Sequence, residues 1–445
     1  MAKDEKYMSF DRTDRQLRAL CWLYIFLLIM EGALRKWALP SFSDQLLLVR
    51  DPLVLVAYLI ALDRKRFPLN KYVISGIALM VLSVATTFLF GHENLKVAVF
   101  GVRTNFLHIP FAFIMGSVFY RTDVIRIGRW WLWGTLLMTV IIALQFSSPQ
   151  SAWINQGVGG VEGAGFSGAL GRYRPPGTFS FITGILWFYT FSFAFLVSGL
   201  MQHKNYSKLL LSLASISIFI AVPVSISRSL ILCIGLTLVV GMLASTFQKG
   251  VITRYFRIIA IAIVGLFIAS QISIFDEAKE AFLERWEQST NEDMGGVKGA
   301  IFERTLNEFI GPFIMKEDVP FFGKGLGAGT QAGAHMLTGD RGFDLGEGEW
   351  FRITGESGIF IGGLFIAWRI WITLALLDYG LAAFRRGNGM GLIFISAAGY
   401  NLILGQLGQT TVQGFTIIGL GLTIAAMRRR KTIATQSDEP ITAES

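Results

Sequence analysis

Arginine side chains stand inside or beside long apolar runs of this sequence, where a charged residue has no ordinary structural reason to be. A charged group in hydrocarbon costs at least about 2.5–3.5 kcal/mol on insertion scales, so such residues usually serve a function. The guanidinium group stays charged and donates two parallel hydrogen bonds to a phosphate. Any one of them could instead be structural, and Arg50, with Asp51 beside it, is most simply explained by a salt bridge. The whole set indicates a site for an anionic ligand, and it consists of Arg50, Arg103, Arg172, Arg174, Arg228, Arg304 and Arg352.

A second group of charged residues follows a glycine-rich stretch. Glu349, Arg352 and Glu356 are spaced i, i+3 and i+7, so on a helix they would share one face. A carboxylate at the boundary between membrane and water can act as a general base, or it can pair with the arginines. Both roles stay open from the residues alone, and Glu347 and Glu349 are the two candidates for the base.

Other chemistries find little support in the sequence. Glycines alternate through Gly323–Gly329, which would let the backbone approach a ligand closely or turn sharply. No His/Cys cluster has the spacing of metal ligands, and we expect no metal and no cofactor. Cys21 and Cys233 both lie in apolar runs, so we expect no structural disulfide.

The elements that must position these residues follow from the composition. Of the 445 residues, 53% are hydrophobic and only 16% are charged, against about 25% charged in a soluble domain. This excludes a soluble enzyme, a disordered chain and a single-span receptor, and a transmembrane β-barrel would show alternating strands of about 10 residues. The sequence predicts an all-α polytopic membrane protein. Its spans, about twelve in number, are expected at 17–36, 52–62, 71–91, 96–119, 127–146, 178–200, 207–223, 228–246, 257–275, 357–383, 389–405 and 412–427.

Lysine and arginine recur in every second predicted loop, which by the positive-inside rule places those loops and both termini in the cytoplasm. The net charge of +9 reflects these loops, and we expect no nucleic acid partner. The predicted organisation is a cytoplasmic N-terminus at 1–16, a transmembrane region at 17–275 with an outer loop at 147–177, one large outer loop at 276–356, a second transmembrane region at 357–428, and a disordered cytoplasmic tail at 429–445.

Four short motifs follow one another in a set order. They are Arg174–Phe179 at the opening of a span, Ser227–Ser229, the glycine repeat Gly323–Gly329, and Glu347–Gly362 at the opening of a later span. Together they resemble the O-antigen polymerase and ligase superfamily, integral-membrane glycosyltransferases of bacterial polysaccharide export. The resemblance covers roughly residues 70–428, and each motif alone is short.

The resemblance implies the multispanning C-type glycosyltransferase architecture and a metal-independent glycosyl transfer. It places the protein in the bacterial cytoplasmic (inner) membrane. The donor would be an undecaprenyl-pyrophosphate-linked glycan, and a flippase and a chain-length regulator would be protein partners. The residues expected to contact the pyrophosphate and glycan are Arg228, Arg172, Arg174, Arg103, Arg304, Arg352 and Ser227, with Arg228 and Arg172 or Arg174 lining one outward-facing cavity.

One position departs from the family pattern. Ligase members commonly carry a histidine nine residues before the glutamate that corresponds to Glu356, and this chain has Glu347 there. The departure favours a polymerase over a ligase, and it makes Glu347 the expected base, with Glu349 as the second candidate. A flippase or secondary exporter of a polyanion is the alternative from another functional class, and a non-catalytic assembly partner is the third.

Overall fold

A computed structural model describes most of the chain. The described residues are 12–163, 166–167, 172–245, 276–284, 309–314, 321–339 and 348–428, with isolated positions between 253 and 267. Several predictions lie outside them: most of the span at 257–275, the tail at 429–445, and the candidate residues Arg304 and Glu347.

Helices form nearly all of the described structure. Those before residue 246 are α1 (Arg12–Ala33), α2 (Ser43–Leu46), α3 (Arg50–Asp63), α4 (Lys71–Phe90), α5 (Leu95–Val102), α6 (Ile109–Val118), α7 (Arg121–Ser147), α8 (Thr183–Met201), α9 (Lys208–Val224) and α10 (Arg228–Ser245). Those that follow are α11 (Gln331–Thr338), α12 (Glu349–Arg385), α13 (Met390–Leu404) and α14 (Thr410–Met427). A two-residue antiparallel pair, β1 (Phe166–Ser167) with β2 (Tyr173–Arg174), is the exception to the all-α prediction within the described residues.

The predicted membrane-type architecture is confirmed in this part of the chain. Nine of the described helical segments are long and apolar enough to cross a membrane, and α9 and α13 are shorter apolar helices. They coincide with the predicted spans other than 257–275. The bounds differ most at the second segment, which begins at Pro40 although its span was predicted from 52, and at α12, which begins at Glu349 although its span was predicted from 357.

Polar caps set the starts of two helices, α4 and α5. The side-chain oxygen of Asn70 accepts from the backbone N–H groups of Tyr72 and Val73, and Asn94 does the same for α5. Each cap satisfies N–H groups that have no partner inside the helix. The apolar helices that follow these caps therefore begin at fixed residues.

Three of the long apolar segments are interrupted at one end of the bundle. A π-helical turn, Leu34–Ala38, follows α1, and a second, Arg103–Leu107, joins α5 to α6. In α12, Gly358 has φ 72° and ψ 174°, a conformation open essentially only to glycine. We call this end, where α1 finishes and α3 and α12 begin, the network end.

The core of the bundle is built around α14, which packs against α6 and α13. Small residues allow close approach there, because Gly421 faces Met115 and Gly419 faces Ala398. Outward-facing positions carry large exposed apolar side chains, among them Phe26, Leu59, Leu89, Leu137 and Leu243. An apolar exterior of this kind suits contact with lipid.

Candidate functional site

The first buried group of charges lies at the start of α12, and we call it the α12 cluster (Glu349, Arg352, Glu356, Arg369 and Asn105). Arg352 donates through Nε and Nη2 to the two carboxylate oxygens of Glu349, both at 2.9 Å. Its Nη1 donates to Glu356 Oε1 at 2.9 Å. The shared helix face predicted from the i, i+3, i+7 spacing is thus confirmed.

Glu349 is surrounded by donors. Arg369 Nη1 donates to Glu349 Oε1 at 2.8 Å, and so does the backbone N–H of Leu407 at 3.1 Å. The remaining Arg369 donors bind the carbonyl oxygens of Leu402 and Gly405, which end α13. Because Glu349 is only 1% exposed and accepts hydrogen bonds from two arginines, its geometry suits a positioning role better than proton exchange with a substrate.

Asn105 connects the α12 cluster to the π-helical turn between α5 and α6. Its Oδ1 accepts from Arg352 Nη2 at 2.8 Å, and its Nδ2 donates to Glu356 Oε2 at 3.3 Å. Glu356 Oε1 also accepts from the backbone N–H of Gly329 at 3.0 Å. The formal charges of the two arginines and the two glutamates cancel, which is the condition for burying them at tolerable cost.

The glycine repeat approaches the protein's own backbone. Gly323, Gly325 and Gly327 all have positive φ, between 77° and 107°. The N–H groups of Lys324 and Gly325 donate to the carbonyl oxygens of Gly355 and Glu356 at 2.8 and 2.9 Å. Of the two uses that the sequence left open, close approach to a ligand and sharp turning, these residues show the turning, and they also pack closely against α12.

The second buried group, the α3 cluster (Glu31, Arg50, Asp51, Arg103 and His108), shows that the expected Arg50–Asp51 pair was wrong. Arg50 Nε donates to Glu31 Oε2 at 3.1 Å. Asp51 instead accepts from Arg103 Nε at 2.5 Å and contacts His108 Nε2 at 2.9 Å. The reason is geometric, because consecutive residues of a helix point to different sides.

A tyrosine and two distant backbone groups complete the α3 cluster. In its neutral form His108 donates from Nε2 to Asp51, so its Nδ1 accepts from the Tyr24 hydroxyl at 3.0 Å. Arg50 Nη2 donates to the carbonyl oxygen of Thr410 at 2.6 Å, which ties α3 to the start of α14. All of these groups are buried or nearly so.

The segment that carries Arg172 and Arg174 is anchored on several sides. Arg172 Nη2 donates to Glu277 at 2.5 Å, and its guanidinium group lies 5.7 Å from the centroid of the Phe146 ring. Burial raises the pKa of the Tyr173 phenol, so this group stays protonated at neutral pH. Arg174 is half-buried in β2.

Ser227 and Arg228 follow a strained residue. Ile226 has φ 49° and is 1% exposed, and a left-handed conformation costs a β-branched residue about 1–2 kcal/mol. Strain of this kind concentrates at functional sites, so it gives Ser227 and Arg228 support independent of their motif. Arg228 is half-buried as the first residue of α10. Its expected placement in one cavity with Arg172 or Arg174 stays a prediction.

Two of the predicted arginines thus lie in separate clusters at the network end. Arg103 belongs to the α3 cluster and Arg352 to the α12 cluster, and Asn105, two residues after Arg103, reaches across to Arg352. Sequence analysis missed Glu31, Asn105 and Arg369. The signal for Glu31 and Arg369 was available, since an ionisable residue inside a predicted span is a functional candidate by default.

Within the described part of the chain, no group of three or more His, Cys, Asp or Glu side chains could hold a metal ion. No protein family, curated protein or solved structure matches this chain. The function is therefore argued from the residues and the geometry of the network end.

Proposed function

We propose that the protein is a membrane glycosyltransferase that joins undecaprenyl-pyrophosphate-linked oligosaccharide repeats into O-antigen or exopolysaccharide. The observation that carries this proposal is the concentration of buried arginine–carboxylate contacts at one end of an apolar helical bundle. Three of the residues involved, Glu349, Arg352 and Glu356, lie in one of the motifs that resemble the O-antigen polymerase and ligase superfamily. The reaction would take place on the outer face of the bacterial inner membrane and would need no metal.

The reaction requires the protein mainly to supply positive charge and to position the reactants. A pyrophosphate ester is already a good leaving group, so the enzyme mainly neutralises the growing negative charge and orients the acceptor hydroxyl. In this proposal Arg172, Arg174 and Arg228 contact the pyrophosphate. Arg103 and Arg352 are nearly buried and are held by carboxylates of their own, so we assign them a positioning role. Arg172 also pairs with a carboxylate, Glu277, but both of these side chains are partly exposed.

We assign Glu347 as the base that accepts the proton of the acceptor hydroxyl. The neighbouring carboxylate of Glu349 accepts from Arg352, Arg369 and Leu407, which leaves it little capacity as a base. Glutamate in place of the histidine common in ligases favours polymerisation over transfer to a different lipid. A flippase that delivers the donor and a chain-length regulator are the partners that such a polymerase would need.

The test is to incubate purified protein with lipid-linked repeat units and to separate the products by size. A ladder of lengths would support a polymerase, and a single transfer to a second lipid acceptor would support a ligase. If no glycosidic bond forms with an active flippase and regulator supplied, the proposed enzyme activity is wrong.

A transporter of an anionic glycan lipid is the second candidate, and the interrupted helices favour it. Transporters bind substrate where two discontinuous helices meet, and here the π-helical turn at Arg103–Leu107 contacts α12 just before Gly358, through Asn105. Movement of a fluorescent lipid-linked glycan across sealed vesicles, without bond formation, would support this candidate over the enzyme.

A further inference from the structure

Lys36 is a deeply buried cation outside both clusters. It lies in the π-helical turn after α1 and is 1% exposed. Its Nζ donates to the carbonyl oxygen of Gly177 at 2.6 Å and lies 4.6 Å from the centroid of the Trp37 ring. Among the described residues, no carboxylate lies within ion-pair distance, 4.0 Å, of Nζ.

The positive charge of Lys36 has no evident use in holding the fold. The Gly177 carbonyl oxygen already accepts from Gln145 Nε2 at 3.2 Å, and Gln145 Oε1 accepts from the Gly177 N–H at 2.8 Å. The neutral side chain of Gln145 thus holds both the N–H and the carbonyl group of Gly177. Burying an ammonium group costs several kcal/mol unless an anion compensates it.

The surroundings of Lys36 are short of negative charge, in contrast to the α12 cluster. There the two arginines and two glutamates balance. Around Lys36 and the α3 cluster, four buried cations are accompanied by two carboxylates, of which one is fully buried. A further acid that interacts with Arg35, Asp44, is exposed. The four cations are Arg35, Lys36, Arg50 and Arg103, and the two acids are the buried Glu31 and the partly buried Asp51.

One unused hydrogen-bond donor belongs to the residue next to Lys36 in sequence. Among the described residues, the indole Nε1 of Trp37 is buried without a hydrogen-bond partner. Arg35 donates from Nε to the Ser43 carbonyl oxygen at 2.8 Å and from Nη1 to Ser180 Oγ at 3.1 Å. It also lies 3.5 Å from Glu31, a carboxylate that Arg50 approaches more closely at 3.1 Å. Cations and an open N–H group together are what an anion with several oxygens requires.

We propose that Lys36, with Arg35 and the Trp37 indole N–H, forms a subsite for a phosphate or pyrophosphate group. The ligand class follows from the charge and the donors, and only its identification with the pyrophosphate of a lipid-linked donor rests on the proposed function. Free phosphate species and phospholipid headgroups offer the same chemistry. At a site this buried, the attraction between the charges is stronger than at a water-exposed surface.

The test is native mass spectrometry of the detergent-purified full-length protein with three probes: inorganic pyrophosphate, farnesyl pyrophosphate and phosphatidylglycerol. Lys36→Met keeps the length of the side chain and removes its charge. Lys71→Met, at an exposed lysine of the opposite end, is the matched control. We expect Lys36→Met to weaken binding of at least one probe by about tenfold or more, the worth of a charge-assisted hydrogen bond, and Lys71→Met to leave it unchanged.

The probe that responds identifies the source of the anion. Loss confined to farnesyl pyrophosphate points to a lipid-linked pyrophosphate, equal loss for inorganic pyrophosphate points to a free anion, and loss for phosphatidylglycerol points to a headgroup. Should Lys36→Met fold poorly, Lys36→Gln and Lys36→Arg replace it, and only the arginine variant should keep binding. Unchanged binding of all three probes by folded Lys36→Met, with a higher melting temperature, would overturn the subsite.

The outcome is separable from the proposed activity. Lys36-dependent binding without any glycan product would leave the subsite standing and refute the glycosyltransferase. A normal glycan ladder made by Lys36→Met, with unchanged KM for the donor, would refute the subsite and leave the glycosyltransferase standing.

Discussion

The partners of a buried charge decide what it can do, and Arg352 illustrates this. It was expected to contact substrate, yet its donors bind Glu349, Glu356 and Asn105. A substrate oxygen could reach it only if one of these bonds opened. Residue type and spacing predicted that Arg352 shares a face with the two glutamates, but the contact with Asn105 joins positions 247 apart in sequence and could not be inferred from spacing.

At this scale we predict that Glu349→Gln strongly destabilises the protein. The change leaves Arg369 buried without a carboxylate, and breaking a buried pair costs about 3–5 kcal/mol. Asp14→Asn is the control, since Asp14 pairs with Arg66 where both side chains are partly exposed and such pairs contribute about 0–1 kcal/mol. Unfolding midpoints in one detergent would compare the two variants, and equal losses would contradict the structural role given to Glu349.

A second prediction separates Glu347 from Glu349. If Glu347 is the base, Glu347→Gln should retain donor binding and the wild-type melting temperature. Glycosyl transfer should fall by about 10²–10⁴-fold, the usual contribution of a positioned general base. Transfer rates at saturating donor and acceptor are the measurement. Unchanged turnover would remove Glu347 from the mechanism.

Among the elements, the interruptions of α12 and of the α5–α6 segment matter most, because they release backbone groups at the network end. Gln413 Nε2 donates to the carbonyl oxygens of Arg103 and Thr104, which the π-helical turn exposes. At Gly358 a Cβ atom would collide with the carbonyl oxygen of Phe321. Polar side chains and a close-packed segment thus stabilise helix breaks that would otherwise be costly.

We therefore predict that Gly358→Ala is far more destabilising than Gly387→Ala. Both glycines have positive φ, 72° and 84°, so both variants carry backbone strain, and the ψ of 174° at Gly358 gives a conformation open essentially only to glycine. Only Gly358 also meets neighbouring backbone, whereas nothing lies within 4 Å of a Cβ at Gly387. Melting temperatures of the two proteins test this, and similar values would mean that the contact with Phe321 relaxes freely.

Taken as a whole, the bundle was largely predictable because apolar run length carries the signal for each span. The start of α12 was not, since the charges between Glu349 and Glu356 favoured a loop. The helix forms there because those charges neutralise one another, and the balance needs Arg369, which lies 20 residues after Glu349. The α3 cluster escaped prediction for the same reason, as its pairs join α1, α3 and α6.

The orientation of the whole molecule is the remaining prediction. In a background with Cys21 and Cys233 replaced, Thr290→Cys should react with an impermeant thiol reagent added outside intact cells, and Gly250→Cys should not. The positive-inside rule supplies the reason, since position 250 falls in a predicted basic loop. The opposite labelling pattern would invert the topology and place the network end toward the cytoplasm.

The bonds between α14 and the earliest helices have a consequence for biogenesis. Arg50 and the turn at Arg103–Leu107 enter the nascent chain long before Thr410 and Gln413, the residues that accept from or donate to them. Until the last helix emerges from the ribosome, these polar groups must be sheltered by the insertion machinery or by water. A chain that lacks α14 would therefore leave the Nη2 donor of Arg50 and the carbonyl oxygens of Arg103 and Thr104 without these partners. Because unsatisfied polar groups are costly in an apolar environment, we expect such a chain to be a substrate of membrane quality-control proteases.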